Sequence, residues 1–497
     1  QKEFKKRLET ISLGGSEPVK VIKLEESEKE LLGKKQTFLK IFVNYPKAVP
    51  IISKEIQSWG IECYEKDVLF VHRYLRDNKI LPMTLVEADG VYLDDPTFTV
   101  PKFFAESVQQ VGKETTSWKI LALDIETYAL KKEIDPKRNP ILMVGFYGIN
   151  EQGQEFTKVI TWKKFSTEEK YIEFVDNESE LLLRVSEVIK EYLPDIITGY
   201  FSDGFDFPYL KARADVHNIP MKMGLDGSEL ITGTKADFRE GDSKIRGILH
   251  LDVLKFVKYI FGKNLKTDSY SLDAVASELL GHAKHKVDLD KLAGVWDNNP
   301  QELEEFCAYN LQDSKLTYQL CSKLLLDMVE FSKIVGLPTF DVIRMRFSRL
   351  VENYIMKRAM EYNVIAPNKP INTEIDQRRD ESIQGAFVYE PTPGLYTDLV
   401  VFDFRSLYPT IIVSHNIGPE GLCCKCCEKN EHVPERDEYW FCKEKKFLPT
   451  VLADLINRRS VVKKQMKEGG DEVMLEARSY ALKILANSFY GYLGFFG

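Results

Sequence analysis

Apolar and polar positions follow two different periods along this chain, and the switches between them predict its elements. Before residue 115, short strand-like runs such as Phe38–Val43 alternate with helical stretches. Trp118–Thr127 reads as a strand in which two acids, Asp124 and Glu126, sit at i and i+2. Pro194–Tyr200 reads as a second buried strand, and Phe205-Asp206 stands at the start of the helix that follows. Tyr309 and Asp313 are four residues apart, on one helical face. Leu399–Phe402 is a continuous run of β-favouring apolar residues, as in a strand buried on both faces. Asp403 ends that run, the chain turns through Ser406, and Pro409 lies where a helix can begin.

The last segment predicts a helical hairpin. Residues 451–468 carry helical periodicity, Gly469-Gly470 breaks it, and Glu472 to about Tyr490 resumes it. Met474, Ala477, Ala481, Ile484 and Leu485 form the stripe expected to pack. Arg459 and Lys463 on the first helix, and Lys483 and Asn487 on the second, are i, i+4 pairs on another face.

Composition narrows the class. A chain of 497 residues is too long for one core and predicts three or more domains. With 44% hydrophobic and 29% charged residues it reads as soluble and globular, and no apolar run approaches a membrane span. Gln1-Lys2-Glu3 begins no signal peptide, so the cytoplasm is the expected compartment. A net charge of −8 argues against a wholly basic nucleic-acid binder but leaves room for local basic tracks. Five of the eight cysteines cluster as Cys423, Cys424, Cys426, Cys427 and Cys442. The CxxC spacing invites zinc, yet no second matching pair follows.

The acids carry the candidate chemistry. Period-2 geometry puts Asp124 and Glu126 on one face of their strand, where like charges repel unless a divalent ion lies between them. A solvated acidic pair is the alternative for this segment alone. Asp403 ends an apolar strand beside a loop with free backbone N–H groups, as a Mg2+-assisted phosphoryl-transfer site requires. A strand-terminal Asp that caps the next helix fits that segment equally well.

Asp403–Ile412 resembles the first polymerase motif of the family-B DNA polymerases, and Lys483–Gly491 resembles their fingers motif, nearest to the archaeal branch. The resemblance implies a multidomain α/β fold. Its expected parts are a partial N-terminal α+β domain (1–114), an RNase H-like 3′→5′ exonuclease domain (115–330), a connector (331–395), the first part of an α+β palm (396–450) and helical-hairpin fingers (451–497). It also implies that Asp124, Glu126, Asp206 and Asp313 hold two Mg2+ or Mn2+ ions, with Asp124 bridging them and Tyr309 orienting the attacking water. Where the family's second exonuclease motif usually has Asn, this chain has Phe201. On the polymerase side Asp403 would bind the catalytic metals. Ser406 and Leu407 would cradle the dNTP, with Tyr408 under its sugar. Arg459, Lys463 and Asn487 would contact the nucleotide, Lys483 would protonate the leaving pyrophosphate, and Tyr490 would floor the nascent pair. DNA primer-template is the implied partner, together with a sliding clamp. Gln384–Phe387 resembles the loop that links the two sites, with Ile383 replacing its usual leading Tyr; a simple turn at Gly385 is the equal alternative. Pro46 and Asp67–Phe70 match part of the archaeal uracil-sensing pocket. For the cysteines, archaeal relatives imply a disulfide, with free thiols and zinc as the other readings.

The family's second palm motif, with its Asp-Thr-Asp core, and its thumb have no counterpart in these residues. The expectation is a proofreading-bearing polymerase portion that needs a second polypeptide, or the remainder of its own, to extend a primer. A stand-alone 3′→5′ exonuclease and a non-catalytic polymerase subunit are the other two readings.

Overall fold

The computed structural model describes residues 2–9, 12–13, 18–112, 117–130, 134–233, 241–262, 265–281, 287–380, 387–404, 406–427 and 431–494. The chain forms two compact units. One consists of residues 83–329 and 338–346, the other of residues 1–82, 330–337 and 347–497.

The first unit is laid out around β1 (Ile120–Thr127), the centre of a six-stranded sheet. Its other strands are β2 (Ile141–Ile149), β3 (Glu155–Thr161), β4 (Ile172–Phe174), β5 (Ile196–Gly199) and β6 (Leu249–Asp252), in the order β6-β5-β1-β2-β3-β4. β5 runs parallel to β1 and β6, whereas β2 is antiparallel to both β1 and β3. Helices α1 (Glu178–Tyr192), α2 (Asp206–His217) and α3 (Leu303–Val335) accompany the sheet. The pleat of β1 sorts its side chains. Leu121, Leu123 and Ile125 enter a core with Leu181, Val185 and Ile189 of α1 and Phe207 and Leu210 of α2. On β2, Leu142 and Met143 enter a separate core with Trp296 and with Leu303 and Phe306 of α3. Asp124 and Glu126 alternate with the apolar set on β1, so they stand opposite the α1/α2 core. Both expected strands and the helix starting at Asp206 are present.

In the second unit, Val19–Leu31 and Lys34–Val43 pair as an antiparallel hairpin, which includes the expected Phe38–Val43 strand. Leu8, Val19, Ala48, Ile52 and Ile56 make its buried core. Farther on come α4 (Phe347–Glu361), α5 (Leu407–Ser414), the short strands β7 (Glu431–Val433) and β8 (Arg436–Phe441), α6 (Phe447–Lys467) and α7 (Glu472–Leu493). The helical hairpin is therefore realised as α6 and α7. Gly469 turns between them at φ +86°, and Asp471 caps α7 by accepting from Met474 N at 3.1 Å. The packed stripe of α7 differs in part from expectation. Ala477, Ala481 and Leu485 are buried, but Met474 and Ile484 only half so, and Leu475, Leu482 and Phe489 complete the stripe.

The expected palm strand is absent. Leu399, Val400, Val401 and Phe402 are 69–90% exposed and form no ladder. An extended run becomes a strand only against a partner, and the next strands in the sequence, β7 and β8, pair with each other. Ser406 precedes α5 at φ +51°, and Pro409 falls third in that helix, within the first turn whose N–H groups have no intrahelical acceptor. The linking loop Gln384–Ala386 and Ile383 lie outside the described residues. Among the described residues no helix is long and apolar enough to cross a membrane.

Arg478 of α7 grips the buried Glu330 with two bonds, Nε to Oε2 at 2.7 Å and Nη2 to Oε1 at 3.1 Å. Removing the guanidinium leaves a carboxylate that is 2% exposed, with Lys333 more distant at 3.8 Å. Arg478→Met is therefore expected to cost about 3 kcal/mol in denaturant unfolding, and adding Glu330→Gln to recover part of it.

Candidate active site

Four acids converge where the sheet, α2 and α3 meet. Asp124 and Glu126 project from the same face of β1. α3 lies against that face, and Asn310 Nδ2 donates to Asp124 Oδ2 at 2.7 Å. Asp313 follows on the same helix, and carboxylate oxygens of Asp124, Glu126 and Asp313 lie within 4.8 Å of one another. Asp206 opens α2 and its Oδ1 accepts from Ile125 N at 3.2 Å, which ties it to the strand between the two acids. Tyr309 is buried on α3 one turn before Asp313.

The approach of α3 depends on one residue of β2. Gly145 pairs with Asp124 in the ladder, and a Cβ there would stand 2.5 Å from Asn310 Oδ1 and 2.9 Å from both Asn310 O and Ser314 Oγ. Only a residue without a side chain admits the helix at this distance.

Electrostatically the cluster is strained. Burial raises the Asp124 carboxyl well above the usual range, although part of its surface reaches solvent. Asp206, Asp313 and Glu126 add to the rise, and the Asn310 bond opposes it. Asp206 is pushed up to about 7, by burial first and by the charge of Asp252 after it. Asp203, fully buried nearby in sequence, is the opposite case. Burial raises it, but His250, Arg344 and Lys255 outweigh that and hold it at about 2. Arg344 Nε and Lys255 Nζ reach it at 2.7 and 2.9 Å. One buried acid is thus lowered by cations of its own chain, whereas Asp124 and Asp206 are raised by burial and by neighbouring acids. Close carboxylate oxygens at partial burial suit hard divalent cations, so the residues present fit Mg2+ or Mn2+.

Sequence reasoning missed Asn310, Gly145 and Asp252. Asp252 ends strand β6 and accepts from Phe201 N at 3.1 Å and Asp203 N at 3.0 Å, bracketing the turn that leads into Asp206. An acid at the end of an apolar strand was the available signal, the same one that singled out Asp403. Within that turn Phe201 sits at φ +68°, a conformation that Asn adopts more readily than Phe.

The residues assigned to the nucleotide site are less gathered. Asp403 is exposed and belongs to no group of three or more metal-competent side chains among the described residues. Ser406 and Leu407 lie at the start of α5, where Tyr408 stacks on Tyr490 of α7 with ring centroids 4.3 Å apart at 11°. Lys483 and Asn487 are exposed on α7; Lys463 is exposed and Arg459 half-buried on α6.

Residues 61–275 match the family model described as DNA polymerase family B, exonuclease domain, and residues 337–496 match that of DNA polymerase family B. DNA polymerase 1 of Pyrococcus abyssi is 34% identical over 486 residues, covering 96% of this chain and 57% of the relative. The DNA polymerase of Thermococcus gorgonarius is also 34% identical, covering 96% and 56%. Among solved structures, the family B DNA polymerase of the hyperthermophilic archaeon Pyrobaculum calidifontis aligns with a TM-score of 0.78 and 26% identity, over 96% of this chain and 60% of that one. The chain spans a little over half the length of the curated relatives it matches.

Gly145→Ala is expected to cost about 1–3 kcal/mol in denaturant unfolding, because backbone and polar atoms must give way. A second expectation concerns pH. Carboxyls raised in the fold above their unfolded value of about 3.9 favour folding fully only below that value. With chelator present, the melting temperature should therefore fall as pH rises from about 4 through the Asp206 value of about 7. Mn2+ should reverse the fall at neutral pH and do little at pH ~4, and Asp206→Asn should flatten the chelated profile.

Proposed function

Because the chain belongs to DNA polymerase family B, we propose that it carries the 3′→5′ proofreading exonuclease and the nucleotide-gripping segment of a DNA-directed DNA polymerase. The observation that carries this reading is the convergence of Asp124, Glu126 and Asp313 within 4.8 Å, with Asp206 bonded to the strand between the first two. Asp124 would bridge two divalent ions, and Glu126, Asp206 and Asp313 would complete their shells. When bound, such ions supply a water of lowered pKa and stabilise the leaving 3′ oxygen. Asn310, which donates to Asp124, would hold that carboxylate for the ions, and Tyr309, one turn before Asp313, would orient the water. The substrate is the 3′ end of a DNA primer.

For synthesis, Asp403 would hold the catalytic metals beside the dNTP. The Tyr408–Tyr490 stack offers a flat apolar platform for sugar and base, and Arg459, Lys463 and Lys483 carry the charge that meets a triphosphate. The exposure of Leu399–Phe404 and the isolation of Asp403 support a further point. Extension would use protein outside this chain, a second polypeptide or the remaining length that the relatives possess, to cover the apolar run and add carboxylates. The same exposure favours, as a second reading, a chain that by itself only degrades.

A 5′-labelled single-stranded oligonucleotide tests the exonuclease site, and primer extension separates the two readings. With Mg2+, the chain should shorten it from the 3′ end, and Asp124→Ala/Glu126→Ala should slow that roughly 10²-fold or more with cooperative unfolding retained. Degradation unaffected by the double substitution would sink the site. Primer extension should appear only when the complementary polypeptide is added, and its absence even then would leave the degrading reading alone standing.

A further inference from the structure

The segment between α5 and α6 gathers four of the chain's eight cysteines at one point. Cys424, Cys426 and Cys427 come from one turn, and Cys442 directly follows β8. Sulfur separations are 3.2 Å for Cys424–Cys427, 3.8 Å for Cys426–Cys427, 3.5 Å for Cys426–Cys442 and 3.6 Å for Cys427–Cys442. All four sulfurs lie within 4.8 Å of one another. Zn–S bonds of about 2.3 Å place the sulfurs of a tetrahedral tetrathiolate about 3.8 Å apart. A disulfide instead draws two sulfurs to about 2.05 Å and leaves the others aside. Four mutually close sulfurs match the edges of a tetrahedron better than two separate pairs.

The surroundings supply what a thiolate cage needs. Lys443 N donates to Cys427 Sγ at 3.2 Å, an N–H···S bond that stabilises the negative sulfur. The two arms are framed independently of any metal. Cys423 N donates to Trp440 O at 2.9 Å, Cys442 N to Gly421 O at 3.0 Å, and Trp440 Nε1 to Cys424 O at 3.2 Å. Asn416 Nδ2 holds the carbonyls of Cys442 and Glu444, each at 2.7 Å. Lys425, Lys443, Lys445 and Lys446 lie within or beside the arms and offset the two net negative charges of a zinc tetrathiolate. His432 stands apart, its Nδ1 2.8 Å from Asp437 O, and the exposed Cys423 is outside the cluster.

We propose that Cys424, Cys426, Cys427 and Cys442 form a structural zinc site that pins the segment between α5 and α6. Four protein ligands close the coordination sphere, so the site has no open position for substrate and its work is mechanical. It fixes the segment that leads from the helix of Tyr408 to the helix of Arg459 and Lys463. Soft thiolates select a different metal from the hard carboxylates at Asp124, which lets the two sites be told apart.

The test is zinc content of the full chain, purified under reducing conditions from zinc-supplemented culture and dialysed against metal-free buffer. About one zinc per chain is expected in the wild type, in Cys423→Ser and in Asp124→Ala/Glu126→Ala. Cys426→Ser/Cys442→Ser should lose it roughly tenfold or more. In case that variant fails to fold, Co2+ exchanged into the wild type should give thiolate-to-metal charge-transfer absorption. Wild type without zinc, zinc lost with the acids rather than the cysteines, or a cobalt spectrum lacking thiolate bands would overturn the proposal. So would two disulfides: thiol titration in denaturant and chelator, without reductant, should find all eight cysteines reactive, and four fewer would contradict the site.

Discussion

The repulsion among Asp124, Glu126, Asp206 and Asp313 is the constraint that the sheet unit is built to withstand. Four carboxylates would separate if the chain were free to let them. They cannot, because β1 lies between β5 and β2 in a six-stranded ladder and its apolar alternate face is committed to the core. Asp206 is held by a bond to the backbone of β1 itself, and Asp313 by a long helix docked over Gly145. Hydrophobic burial and backbone pairing thus hold in place a charge arrangement that is unfavourable by itself. Local instability at a functional centre, supported by rigid elements around it, is a general pattern of binding sites.

Much of that centre was legible in the sequence because it obeys local periodicities. The spacing of Asp124 and Glu126 is a strand spacing, and that of Tyr309 and Asp313 is a helical one. Resemblance to a family then joined the elements. Asn310 and Gly145 were illegible for a different reason: their importance is set by which residue faces them at a distant point of the chain, a fact of register and docking. Asp252 carried a signal but no partner to read it with. The apolar run Leu399–Phe402 failed the other way. Its local pattern says strand, but a strand is a relation between two segments, and among the described residues nothing pairs with it. The hairpin α6–α7 was legible in outline because Gly469-Gly470 marks its turn. Its exact buried stripe was not, since α4 as well as α6 packs on α7, as in the edge contact of Tyr354 with Phe489.

The two acidic environments also explain each other. Asp203 and Asp206 are three residues apart, both buried, and shifted in opposite directions. The difference lies in the company each keeps: an arginine, a lysine and a histidine around the first, a strand backbone and other acids around the second. A buried acid paired with cations of its own chain anchors structure, and one set among other acids favours an external cation.

Asp252 grips the turn over Phe201 and Asp203 through backbone amides rather than side chains. At position 201 the bracket uses only the backbone N–H, so it is compatible with a bulky aromatic at that left-handed position. One acid therefore does two things at a distance: its oxygens set the path of the turn, and its charge helps to raise the carboxyl of Asp206 at the end of that turn.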